Sequence, residues 1–324
     1  MYIQPETILE KYDLTVEQVS KGRGTYICNT DQGVKLLVPF RGSPERAEFI
    51  RQVLIFLRES GFAAEQIVMT KGLTAAVTDD MGARYILKDM IVGNECSMKN
   101  RTEMKAAIEQ LAALHKLLDT CPIEIPDFMK GQKDEVLHLY EKHCRELIKV
   151  KNYVKSRKKK NEFEIKFQEQ YPRFIDAAQE SLRLLNEESN DIRYALCHGD
   201  FNQHNVVNTA AGWQIVNFEA LHYNLSVFDF SNFLRKMMEK NNWNAELGMD
   251  MIAYYTECYP LSWPEYRQLY ILLLFPEKFW KIANHYYNSH KAWLSGRDIE
   301  KLDRVIRQEE GRRRFLEILF SFIG

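Results

Sequence analysis

One short stretch of this chain carries more chemically capable side chains than a turn needs. Residues 196–208 read LCHGDFNQHNVVN, which gathers His198, Asp200, Asn202, Gln203, His204 and Asn205. An Asp followed five residues later by an Asn sets a carboxylate where it can orient or deprotonate a hydroxyl. The amide carbonyl beside it can hold a hard cation. The spacing D-x-x-x-x-N is weak on its own. Preceded by His198-Gly199, and followed by a turn at Thr209 to Gly212 and then WQIVNFE, it is far narrower. Apolar alternation at Val206-Val207 and Ile215-Val216 predicts a β-hairpin carrying the loop. The six cysteines (Cys28, Cys96, Cys121, Cys144, Cys197 and Cys258) show no C-x-x-C spacing. A zinc ribbon or a disulfide scaffold is therefore not expected, and buried reduced thiols are.

The elements that must hold this loop divide into a β-rich beginning and a helical remainder. Thr15 to Val19, Thr25 to Asn29 and Val34 to Phe40 are short runs rich in β-branched or aromatic residues, separated by turns at Gly22-Arg23-Gly24 and Asp31-Gln32-Gly33. A helix is predicted next, capped by Ser43 with Pro44 in its first turn, apolar at Ala47, Ile50, Leu54 and Leu57, and stopped by Gly61. Ala75 to Thr78 and Arg84 to Met90 complete the strand candidates, and Met90 to Asn94 reads as a hinge. Beyond it, Thr102 to Leu118, Asp134 to Ser156 and Glu164 to Glu187 carry helical periodicity, as does most of the chain after Ser226. The expected domains are a β-rich lobe over 1–93 and a helical lobe over 94–324, with a helical insertion around 130–190.

Composition limits the function classes. Lys plus Arg total 44 against 45 Asp plus Glu, a formal charge of −1, which disfavours a dedicated nucleic-acid binder. The run KVKNYVKSRKKK, Lys149 to Lys160, reads as a solvated helix end; a docking point for an anionic partner is the other reading. The longest apolar run, Leu269 to Phe275, is far short of the ~20 residues a membrane span requires. No positive region followed by an apolar stretch opens the sequence, so synthesis in the cytoplasm is expected.

The segment HGDFNQHN resembles the catalytic loop H-G-D-x-x-x-x-N of the aminoglycoside phosphotransferase and choline kinase group. The continuation NFEALHYNLSVFDFSNFL extends the resemblance through Phe218, Glu219, Tyr223, Asn224, Phe228, Asp229 and Asn232. In length and plan the chain is most similar to the spore coat protein S family of that group. The resemblance implies an α+β, protein-kinase-like two-lobe fold. It implies Asp200 as catalytic base, with His198 holding the loop in shape and Asp229 bracing it. Asn205, Asn217 and Glu219 would be the metal set. Glu48, Met90 and Val92 would contact the cofactor, which would be Mg-ATP if the protein is active. The implied partners are a small-molecule hydroxyl acceptor, if active, and other spore-coat proteins, with the spore coat as the implied location.

Two positions depart from the group's pattern. The main metal ligand there is the Asp of a D-F-G or D-F-E triplet; this chain has Asn217-Phe218-Glu219, and an amide brings no negative charge. If 217 and 219 lie on a strand, parity puts Glu219 on the same face as Asn217. The third strand reads Gly33-Val34-Lys35-Leu36-Leu37-Val38, placing Val38 where the group has its phosphate-pairing Lys. Lys35, three residues earlier, faces the other way and reads as a solvated strand lysine. Glu45 or Glu48 would then lack its usual partner. Two functions stay open: a kinase-fold coat component with impaired or lost phosphotransferase activity, and an active ATP-dependent kinase phosphorylating a hydroxyl group.

Overall fold

The computed structural model describes residues 5–130, 135–187, 193–289 and 296–323. Asp134, the expected start of one helix, and both edges of the expected insertion (131–134 and 188–190) lie outside the described residues. The chain divides into two compact units, Met1–Lys130 with Ala195–Tyr223, and Gly131–Tyr194 with Asn224–Gly324.

The first unit opens with α1 (Pro5–Leu9), β1 (Val16–Lys21), β2 (Tyr26–Thr30), β3 (Gly33–Phe40), α2 (Pro44–Glu59), β4 (Ile67–Val68), β5 (Val77–Thr78) and β6 (Arg84–Asp89). The strands form an antiparallel sheet in the order β1-β2-β3-β6-β4, with β5 also on β6. Register fixes what each face carries. Leu37, Tyr85 and Leu87 join Ile8, Leu9, Tyr12, Cys28 and Val77 in one buried cluster. Leu36 stands opposite Lys88 and Val38 opposite Ile86, so these four share the other face. Helix α2 forms as the sequence predicts: the Ser43 hydroxyl accepts the Arg46 N–H, and Ala47, Ile50, Leu54 and Leu57 are buried.

After β7 (Asn94–Glu95) and α3 (Arg101–Leu118) the chain enters the second unit, returning through β8 (Tyr194–Cys197), β9 (Val206–Thr209), β10 (Gly212–Ile215) and β11 (His222–Leu225). The predicted hairpin is β9–β10. Strand β7 pairs with β9, Asn94 opposite Asn208 and Glu95 opposite Val207, so the stretch expected as a hinge ends bound to the loop-bearing hairpin. Strand β7, with two residues, is too short to show a period in sequence. The cysteine reading holds in part: Cys28, Cys96, Cys144 and Cys197 are buried, while Cys258 is exposed, and all six are free thiols.

The second unit is helical: α4 (Glu135–Ser156), α5 (Glu162–Glu187), α6 (Phe228–Lys240), α7 (Ala245–Cys258), α8 (Trp263–Leu274), α9 (Glu277–Asn288) and α10 (Gly296–Ile323). Its core stacks rings between helices, Phe174 on Phe279 and Tyr140 on Phe275, each pair with centroids 4.0 Å apart. The cations of the basic run lie at the surface, as expected of a solvated helix end, with Lys160 half-buried. Val150 and Val154 are buried, and Arg157 lies 3.3 Å from the fully buried carboxylate of Glu164.

Candidate functional site

Every residue of the polar loop is placed by the first unit. Gly199 follows β8 with φ +86°, and a Cβ there would sit 2.1 Å from the Ala220 carbonyl oxygen, so only glycine fits. His198 is fully buried; its Nδ1 accepts the Asp200 N–H at 3.3 Å. Nδ1 therefore carries no proton, and Nε2 donates to the Val216 carbonyl at 3.0 Å. The imidazole links the loop to the end of the hairpin as a neutral tautomer. Asp200 is exposed, and its carboxylate receives the Asn202 amide at 3.0 Å and the Asn205 amide at 3.3 Å. His204 pairs instead with Glu95 on β7, at 2.5 Å.

A second set of residues lies beyond Asn205. The Asn205 Oδ1 accepts the Asn217 amide at 2.8 Å, and Asn217 Oδ1 accepts Lys88 Nζ at 2.7 Å. This row of hydrogen bonds is fixed at both ends. Lysine only donates and a carboxylate only accepts, so Lys88–Asn217–Asn205–Asp200 has one consistent polarity. Lys88 is 1% exposed and also contacts the Glu219 carboxylate and, at 3.1 Å, Glu65 Oε1. Burial alone would depress the Lys88 ammonium, but the Glu65 and Glu219 carboxylates outweigh it and its pKa is raised. Glu65 Oε1 accepts two further donors, the backbone N–H groups of Asn217 at 2.9 Å and Phe218 at 3.0 Å.

The expectation that strand parity aligns Asn217 with Glu219 is corrected. Asn217 is left-handed (φ 68°, ψ 59°) and Phe218–Ala220 is a 3-10 turn. The two side chains converge because that turn wraps Lys88. Asn tolerates the left-handed region better than most residues, which suits it to this bend.

Other expected residues lie elsewhere. Val38 packs opposite Ile86, and Lys35, on the opposite face, is not a solvated lysine but pairs with Asp89 at 2.8 Å. Glu48 is bound by Arg51 at 2.7 Å on its own helix, and that guanidinium holds its carboxyl below the usual range. Met90 donates its N–H to the Val34 carbonyl at 3.1 Å, and Val92 is exposed. Asp229 is buried in the first turn of α6, in the second unit.

The oxygens implied as a metal set do not fit a divalent cation as they stand. Asn217 Oδ1 and Glu219 face an ammonium, and Asn205 Oδ1 faces an amide N–H. Among the described residues no group of three or more His, Cys, Asp or Glu could hold a metal ion. Sequence reasoning missed Glu65 and Lys88. The available signal was that Tyr85 to Leu87 is apolar on both faces, so a lysine next in that strand is buried and needs acidic partners.

The antiparallel sheet, the H-G-D-x-x-x-x-N loop and its hairpin together define the fold of aminoglycoside phosphotransferases and choline kinases. An aminoglycoside phosphotransferase from Alicyclobacillus acidocaldarius superposes with a TM-score of 0.84 at 20% identity, covering 100% of this chain and 97% of that one. An amicoumacin kinase in complex with AMP-PNP, Ca2+ and Ami does so at 0.62 and 14%, covering 96% and 92%. A choline kinase from Cryptosporidium parvum Iowa II gives 0.55 and 13%, covering 99% of each. In sequence, spore coat protein S of Bacillus subtilis (strain 168) is 25% identical over 96% of this chain and 92% of its own length. The chain belongs to the family described as "Spore coat putative kinase YutH", which it matches over residues 5–319. Among the described residues no helix is long and apolar enough to cross a membrane.

Proposed function

We propose that this chain is a spore-coat-associated member of the kinase fold whose phosphotransferase activity is lost, with its catalytic-type loop retained as structure. One observation carries this reading: the side-chain oxygens of Asn205 and Asn217, which a nucleotide-bound cation would need, are taken by donors of the protein itself. Phosphoryl transfer depends on positive charge placed around the phosphates. Val38 contributes none on β3, and Lys88 donates to Glu65 and Asn217 and is ion-paired with Glu219. His198, Gly199 and the Asn202–Asp200 contact account for the loop's persistence without turnover. Other spore-coat proteins are then its partners, and the coat its destination.

The exposed Asp200 carboxylate favours a second reading, an active kinase acting on a hydroxylated small molecule. A thermal-shift titration with and without magnesium separates the two. A nucleotide at a thousandfold excess over its Kd adds about 4.1 kcal/mol of stability. The lost-activity reading expects no magnesium-dependent rise in Tm at millimolar ATP, and no ATP consumption. A clear rise together with phosphate transfer would refute it.

A further inference from the structure

We infer that the Lys88 ammonium is the resident cation of this site, and that Lys88 and Asn217 together close the cradle of Glu65, Asn217 and Glu219 to a divalent metal ion. This rests on the reading of the chain as a kinase-fold protein without phosphotransferase activity, and it says how that state is built.

An ammonium has three N–H donors, and Lys88 has three oxygen partners: Glu65 Oε1, Asn217 Oδ1 and the Glu219 carboxylate. With the side chain 1% exposed, no water competes for that position. A metal ion could enter only by displacing the ammonium, whose like charge opposes it at contact distance. Asn217 is equally specified. It must accept from Lys88 and donate to Asn205 Oδ1, 2.8 Å away. An aspartate there would set a carboxylate oxygen against the Asn205 carbonyl. Turning Asn205 over to relieve this would withdraw its amide from Asp200. The two departures seen in the sequence are thus one rearrangement. The positive charge absent at Val38 reappears on the adjacent strand and on the same face, where it takes the place of the cation.

The test titrates Mn2+ into four proteins (wild type, Lys88→Met, Asn217→Asp and the double variant), read by calorimetry and by Tm. Wild type and Asn217→Asp are expected to show no binding below about 1 mM. The double variant, with three carboxylates around the vacated position, should bind at least tenfold more tightly. At ~100 Kd its Tm should rise by roughly 5–10 °C. Lys88→Met should show a smaller gain of the same sign; if it folds only when Mn2+ is present, that also supports the proposal. Tight binding by wild type overturns it, and so does binding by Asn217→Asp equal to that of the double variant. A folded Lys88→Met without gain overturns it as well. Phosphate transfer by the wild type would instead overturn the proposed loss of activity while leaving these titrations readable.

Discussion

Replacing Glu65 by Ala tests whether the buried polar network holds the first unit together. The carboxylate is 3% exposed, and a single oxygen receives Lys88 Nζ, the Asn217 N–H and the Phe218 N–H. Removing one partner of a buried ion pair costs about 3–5 kcal/mol, because the other charge is stranded. Each backbone donor left without an acceptor adds about 1–3 kcal/mol. The losses share one site and overlap, so the expected sum is ~4–7 kcal/mol, a large part of the ~5–15 kcal/mol available to a domain. With a slope near ~2 kcal/mol/M, the urea midpoint of the first unit should fall by roughly 2–3.5 M. Trp213 on β10 reports on this unit by fluorescence, and amide exchange at Asn217 and Phe218 should quicken before global unfolding. Glu65→Gln keeps an acceptor for the two N–H groups but loses the charge, and should cost about half as much. A midpoint shift equivalent to less than ~1 kcal/mol for Glu65→Ala would refute the reasoning.

Gly199→Ala should destabilise the loop by at least ~2 kcal/mol, since it forces a left-handed non-glycine residue and a Cβ 2.1 Å from Ala220 O; a change in unfolding free energy within about 0.5 kcal/mol of zero would contradict the steric account. His143 on α4 is buried against Trp280, with ring centroids 3.3 Å apart, and burial lowers its pKa despite Glu277 at 3.8 Å and the nearby Glu146. The unfolded chain therefore binds the extra proton first, and stability should fall as pH drops below about 6.5, by up to ~1.4 kcal/mol per pH unit. His143→Gln should lose that component of the slope; an unchanged pH profile would exclude the assignment.

The loop was legible because its side chains act on one another locally: His198, Asp200, Asn202 and Asn205 lie within a few residues, and their types alone narrow the chemistry. Helix α2 was legible for the same reason, since its cap and apolar stripe are local. Lys88 and Glu65 were not, because each has its meaning through contacts 129 and 152 residues distant. Lys88 precedes Asp89 and so reads as a charged strand end. Parity failed at 217–219 because a left-handed residue and a 3-10 turn replace the strand that parity assumes.

The first unit is also assembled out of order in time. Lys88 leaves the ribosome well before Asn217, its partner 129 residues on, a delay of about 6–26 s at ordinary synthesis rates. During that interval the sheet from β1 to β6 is complete in sequence, while the turn that shares the lysine with Glu65 does not yet exist. Burial of the ammonium is consequently a late event, gated by closing a long loop rather than by forming the sheet. Nascent chains stalled before residue 217 should therefore leave the Lys88 ammonium without its Asn217 and Glu219 partners.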